Sequence, residues 1–321
     1  MEEKADYMEN LIQQYHIPDR IWKIWKADSY EDFIKNFMVT GKFHGKVPEK
    51  IINDYKIVER LLCYSYYHYP LLDEAFSKAT RIFESAIKLR LKELGIPEPP
   101  KFESLEKKIK KIEPFTSPAV LTEWNKARDI RNAFAHPEAG SLMGIIVLRG
   151  FYQMVNIINT IFLDKTIIEE NEQLLNNLKA EASHLKEGLF KLQYNGKNYL
   201  VWSIIPYSFY RVRDLDKSFW VFHPVFTDFP QTTDKLDFSL PICLRLSNVE
   251  ILDIGIKATI LESGEKIEAI KTDNPININQ LRRHKDLIAS SEMTVKGLYL
   301  HHLESEITFE VVKFLYDECW V

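Results

Sequence analysis

The chain has 321 residues, of which 45% are hydrophobic and 27% are charged, so it can bury a sizeable core and form two domains. Its formal net charge of -4 and isoelectric point near 6.2 argue against a wholly basic nucleic-acid coat protein. A local basic patch could still contact phosphates, so charge alone names no partner.

The cysteines and the first residues indicate a cytoplasmic protein. Cys63, Cys243 and Cys319 are far apart, odd in number and without metal-ligand spacing, as expected of free thiols in a reducing compartment. The opening MEEKADYMEN is acidic and polar, whereas a signal peptide needs a basic start and an apolar run. The most apolar long stretch, 142–163, contains an arginine and several amides, which predicts a buried core helix and no membrane span.

The first half of the chain has the patterns of helices. Residues 1–50 look like a helical extension in which we predict that Trp22 and Trp25 pack. Residues 51–164 have apolar side chains at helical spacing and short connections, which indicates an up-and-down bundle. The predicted helices are one before Pro70, one over 71–94 stopped by Gly95, one carrying Val120, Trp124, Ala127, Ile130 and Phe134, and one over 141–163.

Residues 165–189 are predicted to form a linker helix. Residues close to heptad positions a and d are mostly apolar, with Asn171 as a polar exception: Ile168, Leu175, Leu178, Ala182, Leu185 and Leu189. The pattern fits a dimer seam. It equally fits a connecting helix that lies on the second domain, because only about three heptads are present.

Beyond residue 189 short β-rich segments follow one another, separated by Asn-Gly, Asp-Lys and Gly-Glu turn signals. Strands are predicted at 189–194, 198–205, 209–213, 219–223, 257–261, 266–271, 293–301 and 307–316, with one helix near 279–289. We therefore expect an α+β protein, in which an N-terminal all-α bundle is followed by a separate, mixed β-rich domain over 190–321.

Motifs of several common enzyme classes are missing from the sequence. It contains no GxxxxGKS/T, GxGxxG, GxSxG or HExxH, which removes the commonest nucleotide-hydrolase, dehydrogenase, esterase and zinc-protease interpretations. His301, His302, Asp317 and Cys319 have no recognised ligand spacing, so we expect neither a metal nor another cofactor.

One polar set lies at 127–140, ARDIRNAFAHPEAG, near the end of the third bundle helix. Asn132 and His136 are four residues apart and share a helix face, and Arg131 lies one step around from Asn132. The helix should end near His136, because Pro137 disfavours helical geometry in the residue before it. The three side chains can then point together, although a histidine at a helix C-terminus also suits the macrodipole as a simple cap.

RNAFAH, residues 131–136, resembles the signature of HEPN domains, in which a short spacer beginning with a polar residue, commonly asparagine, separates arginine from histidine. The context is similar: a long preceding helix, AFSKATRIFESAIKLRLKEL, and an apolar closing helix. The resemblance covers roughly 50–165 and leaves 1–50 and the β-rich half unexplained. Some branches carry a modifiable tyrosine three residues after the histidine, but Ala139 stands here, so control by that route is not expected.

The resemblance implies a metal-independent endoribonuclease that leaves a 2′,3′-cyclic phosphate and a 5′-hydroxyl, in a bacterial toxin or antiviral abortive-infection setting. The residue types suit that chemistry, because RNA supplies its own 2′-hydroxyl nucleophile. His136 would move protons near neutral pH, and Arg131 would hold phosphate oxygens with its planar fork. Asn132 would orient the His136 imidazole or a phosphate oxygen. The alternative is a non-catalytic HEPN-type module that binds RNA, nucleotide or protein.

One histidine is too few for separate acid and base roles, and members of the family pair two domains around one cleft. With one motif per chain, a homodimer with a composite site is implied, and 190–321 is available for a regulatory partner. Glu84 could join the site beside Arg128, or it could be a solvated helix-face carboxylate. Four basic residues could form a groove wall for RNA phosphates, or a solvated helix face: Lys107, Lys108, Lys110 and Lys111.

Overall fold

The computed structural model describes residues 15–97, 103–135, 144–212, 215–225, 240–291 and 293–320. The chain divides into two compact units. One comprises Met1–Lys165 with Trp320–Val321, and the other comprises Thr166–Cys319.

Helices build the first unit. In chain order they are α1 (Ile21–Ile24), α2 (Tyr30–Phe37), α3 (Glu49–Tyr64), α4 (Leu71–Glu93), α5 (Leu105–Ile112), α6 (Pro118–Ala135) and α7 (Val147–Ile161). Pro70 caps the start of α4, and Gly95 follows its end with a φ of +69°, a conformation that glycine adopts without strain. The predicted 71–94 helix and its glycine stop are therefore confirmed.

The centre of this unit is α4, which packs against α3, α5, α6 and α7. Its Phe76 ring lies 5.0 Å from the ring of Phe134 in α6 and 5.2 Å from that of Phe151 in α7. Gly150 allows α7 this close approach, because a Cβ there would lie 2.6 Å from the Phe76 ring. These contacts fix α6 against α4.

Of the two predicted packing tryptophans, Trp22 is buried, whereas Trp25 is 44% exposed.

Trp320 completes the core of the first unit from the far end of the chain. Its indole Nε1 donates a hydrogen bond to Asn156 Oδ1 in α7 at 2.7 Å, and both side chains are buried. The His44 ring lies 6.2 Å from the Trp320 ring and bonds through Nε2 to the Asn159 carbonyl oxygen. Residues from three distant parts of the sequence thus meet on α7.

The second unit contains a closed barrel. The connecting helix α8 (Lys165–Glu181) leads into a 3₁₀ turn, Ala182–Leu185, and then into strands β1 (Phe190–Tyr194), β2 (Lys197–Val212), β3 (Leu215–Pro224), β4 (Ile242–Leu252), β5 (Gly255–Ile260) and β6 (Lys266–Lys271). Each strand pairs antiparallel with the next, and β6 pairs with β1. The interior is filled with apolar side chains, including Trp220, Phe222 and Leu246, and Leu185 joins this core.

Local sequence explains parts of this barrel. Asn195 and Gly196 both have positive φ between the paired residues Tyr194 and Lys197, as a two-residue hairpin requires, so the Asn-Gly turn is confirmed. Asn171 in α8 accepts the Arg211 backbone N–H at 2.9 Å. The Leu178, Ala182 and Leu185 positions of the heptad pattern pack against the barrel core. These contacts favour the connecting-helix interpretation of 165–189.

The predicted fold class, an all-α N-terminal domain followed by a separate β-rich domain, is wrong. The strands close into a six-stranded antiparallel barrel, and helices also follow it: α9 (Pro275–Ser290) and α10 (Met293–Glu318). The strands predicted at 293–301 and 307–316 are helical. Their β-branched and aromatic residues favoured strands, but Leu303, Ile307 and Phe314 lie on one helical face and are buried.

Gly144–Ile161 is the one stretch of the described residues with the length and hydropathy of a membrane span. In the structure 56% of it is buried, and the core helix of a water-soluble protein has the same properties. The expected cytoplasmic location stays a prediction.

Candidate active site

Arg131 and Asn132 lie at a cleft of about 370 Å³ in the helical unit. The cleft is lined by residues of α4, of α6 and of the start of α5: Glu84, Glu103, Ser104, Leu105, Glu106, Arg128, Asp129, Arg131 and Asn132. The cleft thus brings together four of the predicted site residues: Glu84, Arg128, Arg131 and Asn132. His136 lies outside the described residues, as does Ala139.

The placement of Arg131 follows from the periodicity of α6. The helix starts at Pro118, a favourable first residue, and Ser117 Oγ accepts the Val120 N–H at 3.3 Å. Trp124 and Ala127 are buried, and Arg131 continues their face at helical spacing, so its side chain is directed towards α4.

Glu84 meets Arg131 from α4. It lies on the same face as the buried residues Thr80, Ile87 and Leu91, and its side chain is only 16% exposed. Arg131 Nη2 donates to Glu84 Oε2 at 2.6 Å, whereas Arg131 Nη1 has a long contact of 3.4 Å with Asn132 Oδ1. Glu84 is therefore not the solvated carboxylate that the sequence also allowed, because it anchors the guanidinium.

Two lysines join this ion pair. Glu84 Oε1 lies 2.7 Å from Lys88 Nζ and 3.9 Å from Lys108 Nζ. Burial raises the pKa of Glu84, but the contacts with Lys88 and Arg131 outweigh it and hold the pKa below its usual value. The carboxylate is therefore ionised at neutral pH and fixes the orientation of Arg131.

The other predicted residues have separate partners. Arg128 donates to Asp129 Oδ1 at 2.8 Å through Nη2 and to Asn125 Oδ1 at 2.9 Å through Nη1. Among the four lysines, Lys107 and Lys110 are exposed, Lys111 pairs with Glu103 at 2.9 Å, and Lys108 is buried. They do not form one exposed row, because they are spread around α5. RNA contact by these lysines stays a prediction.

Sequence reasoning did not single out Lys88 or Glu103 for this site. Lys88 follows Glu84 by four residues in a helix, a spacing that signals a side-chain pair. Glu103 and Ser104 reach the cleft because α5 begins there, and Ser104 Oγ caps this helix by accepting the Lys107 N–H. No local pattern connects the start of α5 with α4.

The cleft is mixed in charge, since its lining has four carboxylates and two guanidinium groups. Within the part of the chain that the structure describes, no group of three or more histidine, cysteine or acidic side chains is arranged to hold a metal ion. The chemistry that these residues offer is the binding of an anion by Arg131 and its neighbouring cations.

Comparisons with models of protein families, with curated proteins and with solved structures give no match to this chain. The relation to HEPN domains therefore stays a prediction, which rests on RNAFAH and its helical context.

Proposed function

We propose that the protein is a metal-independent HEPN-type endoribonuclease. The observation that carries the proposal is the guanidinium of Arg131, held at an open cleft by a largely buried carboxylate, in a motif whose histidine follows five residues later. A fixed guanidinium suits a reaction in which charge develops on a phosphate, because no reorientation is needed during the chemical step.

The proposed reaction is attack of the RNA 2′-hydroxyl on the adjacent phosphate. His136 removes the proton from the 2′-hydroxyl or delivers one to the departing 5′-oxygen, and Arg131 steadies the phosphate oxygens. Asn132, adjacent to Arg131 and exposed, orients the phosphate or the imidazole. A bacterial toxin or antiviral role is part of the same proposal and comes from the resemblance alone.

The direct test is incubation of the metal-free protein with mixed cellular RNA, followed by analysis of the product ends. We expect 2′,3′-cyclic phosphate and 5′-hydroxyl ends, loss of cleavage in His136→Ala, and full activity in the control His68→Ala, which changes an exposed histidine of the same unit. Arg131→Lys should turn over poorly, because lysine keeps the charge but loses the fork. Undiminished cleavage by folded His136→Ala would remove His136 from the reaction.

We further propose that two chains share the site, because one motif supplies a single imidazole for two proton transfers. Wild-type subunits can be mixed with an excess of His136→Ala subunits under conditions of subunit exchange. A shared site predicts activity that falls with roughly the square of the wild-type fraction, whereas independent sites predict a linear fall. Cleavage of RNA by a monomer would refute a site shared between two chains.

A regulatory partner that binds residues 190–321 is part of the same proposal.

The second candidate is a non-catalytic binding module. The excess of carboxylates over guanidinium groups in the cleft lining favours a module of this kind that binds a protein, since carboxylates repel a polyanion such as RNA. A folded wild-type protein that cuts no RNA in the direct test, and whose RNA binding His136→Ala leaves unchanged or absent, would support this candidate.

A further inference from the structure

Three cations converge on one carboxylate beside the cleft. Arg131, Lys88 and Lys108 all lie within ion-pair distance of Glu84, at 2.6, 2.7 and 3.9 Å. Since a single carboxylate balances one positive charge, two positive charges are in excess at this point. An uncompensated positive cluster of this kind attracts an anion.

Lys108 is the unusual member of the cluster. Its side chain is 6% exposed, and its Nζ has no hydrogen-bond partner among the described residues, since Glu84 at 3.9 Å is too distant. Burial first, and the nearby charge of Lys88 next, lower the pKa of the Lys108 ammonium group. Lys108 Nζ is not itself fully buried, since the fully buried polar atoms without a partner at this site include Arg131 Nε but not Lys108 Nζ. A ligand that supplies acceptors can therefore reach its unused donors.

Two neighbouring carboxylates have cations of their own, whereas the exposed Glu106, which also lines the cleft, has no ion pair among the described residues and offsets one of the two positive charges in excess. Glu103 pairs with Lys111 at 2.9 Å, and Asp129 pairs with Arg128 at 2.8 Å. Arg131, which lines the cleft, also has donor capacity left, because its Nη1 makes only the long contact with Asn132. The unused donors thus belong to Lys108 and Arg131, which reach Glu84 from two different helices.

We propose that Lys108 and Arg131 together bind a phosphate group, with Glu84 as the positioning residue that holds both cations. This inference rests on the proposed function and deepens it, because it assigns to Lys108 the grip on a phosphate of the substrate. A phosphate group presents several oxygens, so it can accept from an ammonium and a guanidinium group at once. The phosphate belongs either to an RNA chain or to a free phosphate ion.

The test is equilibrium binding to the full-length protein of two probes, a 2′-O-methyl oligoribonucleotide, which has no free 2′-hydroxyl, and inorganic phosphate. We expect Lys108→Met to weaken binding roughly tenfold or more, because charge-assisted hydrogen bonds are lost. The matched control is Lys92→Met, an exposed lysine of α4, which should bind like the wild type. A loss for the oligonucleotide alone assigns the phosphate to RNA, and a loss for both probes extends the site to free phosphate.

Lys108→Arg provides a second readout that does not depend on the methionine variant folding. The oligonucleotide affinity of the wild type should fall with rising pH as Lys108 loses its proton. The affinity of Lys108→Arg should stay constant over the same pH range, because arginine stays charged at every working pH. Equal binding by wild type and Lys108→Met, or identical pH profiles for wild type and Lys108→Arg, would overturn the inference. If the oligonucleotide binds in a Lys108-dependent way but RNA is never cut, only the proposed ribonuclease activity is refuted. If RNA is cut equally well without Lys108, only the proposed phosphate site at Lys108 is refuted.

Discussion

Replacing Glu84 with glutamine removes the negative charge that pairs with Arg131, Lys88 and Lys108, and it nearly keeps the volume of the side chain. A hydrogen bond between charged partners contributes about 1.5–3 kcal/mol, whereas an exposed pair four residues apart in a helix contributes about 0.3–0.5 kcal/mol. The contact with Arg131 belongs to the first class, since the two side chains are 16% and 29% exposed. The contact with Lys88 belongs to the second, since Lys88 is 51% exposed. We expect Glu84→Gln to lower the free energy of unfolding by about 2 kcal/mol.

Urea denaturation of the full-length chain, followed by the signal of the helical unit, measures this loss, which corresponds to roughly 4–8 °C in melting temperature. The control is Glu93→Gln. Glu93 is 41% exposed and pairs with Arg90 at 3.3 Å, so its replacement should cost less than about 0.5 kcal/mol. Equal stabilities of Glu84→Gln and the control would show that the ion pair does not stabilise the fold.

Acid provides an independent check of the same reasoning. The pKa of Glu84 in the folded protein lies below its ordinary value of 4.5, so its contribution is fully present above that pH and is lost as the pH falls through the folded value. The stability difference between wild type and Glu84→Gln should therefore shrink below about pH 4.5. A stability difference between wild type and Glu84→Gln that grows as the pH falls would contradict a lowered pKa of Glu84.

Two further predictions concern other parts of the molecule. Trp320→Ala should destabilise the helical unit by about 3–5 kcal/mol in denaturant titration, because it leaves a cavity and removes the hydrogen bond to Asn156, whereas Trp25→Ala, at a 44% exposed residue, should cost much less. Burial and then Lys285 lower the pKa of His284 to about 4, so the barrel unit should lose up to about 3 kcal/mol as the pH falls from about 6.5 towards 4. That slope should become smaller in His284→Gln, where the part from His223 remains because burial also lowers the pKa of His223, and it should persist in full in His301→Gln, which changes an exposed histidine. An unchanged slope in His284→Gln would exclude His284 as an origin of the effect.

Sequence patterns located the helices of the first unit because their apolar periods are long and their stops are chemically marked. Pro70 and Gly95 bracket α4, and both act through the backbone. The C-terminal helices were harder, since the β-branched and aromatic residues of 293–316 favour strands until burial of one helical face outweighs propensity. Barrel closure depends on pairing between β1 and β6, which are distant in sequence, and no local pattern encodes it.

The candidate site was predictable in one part only. Arg131 and Asn132 follow from a motif and a helical period, and the sequence also allows Glu84 as a neighbour of Arg131. The sequence does not distinguish Lys108 from three other lysines that could form a wall for phosphates. Its distinct environment, buried and facing Glu84, depends on how α5 packs against α4, which is a tertiary property.

The insertion of Trp320 into the first unit has a consequence during protein synthesis. Trp320 lies 164 residues after its partner Asn156, so the ribosome makes it long after α7. At bacterial or eukaryotic elongation rates this interval lasts roughly ten to thirty seconds. Throughout it, the nascent helical unit lacks the Trp320 indole and its hydrogen bond to Asn156. Full stability of the unit that carries Arg131 therefore comes only once the barrel sequence has also been translated.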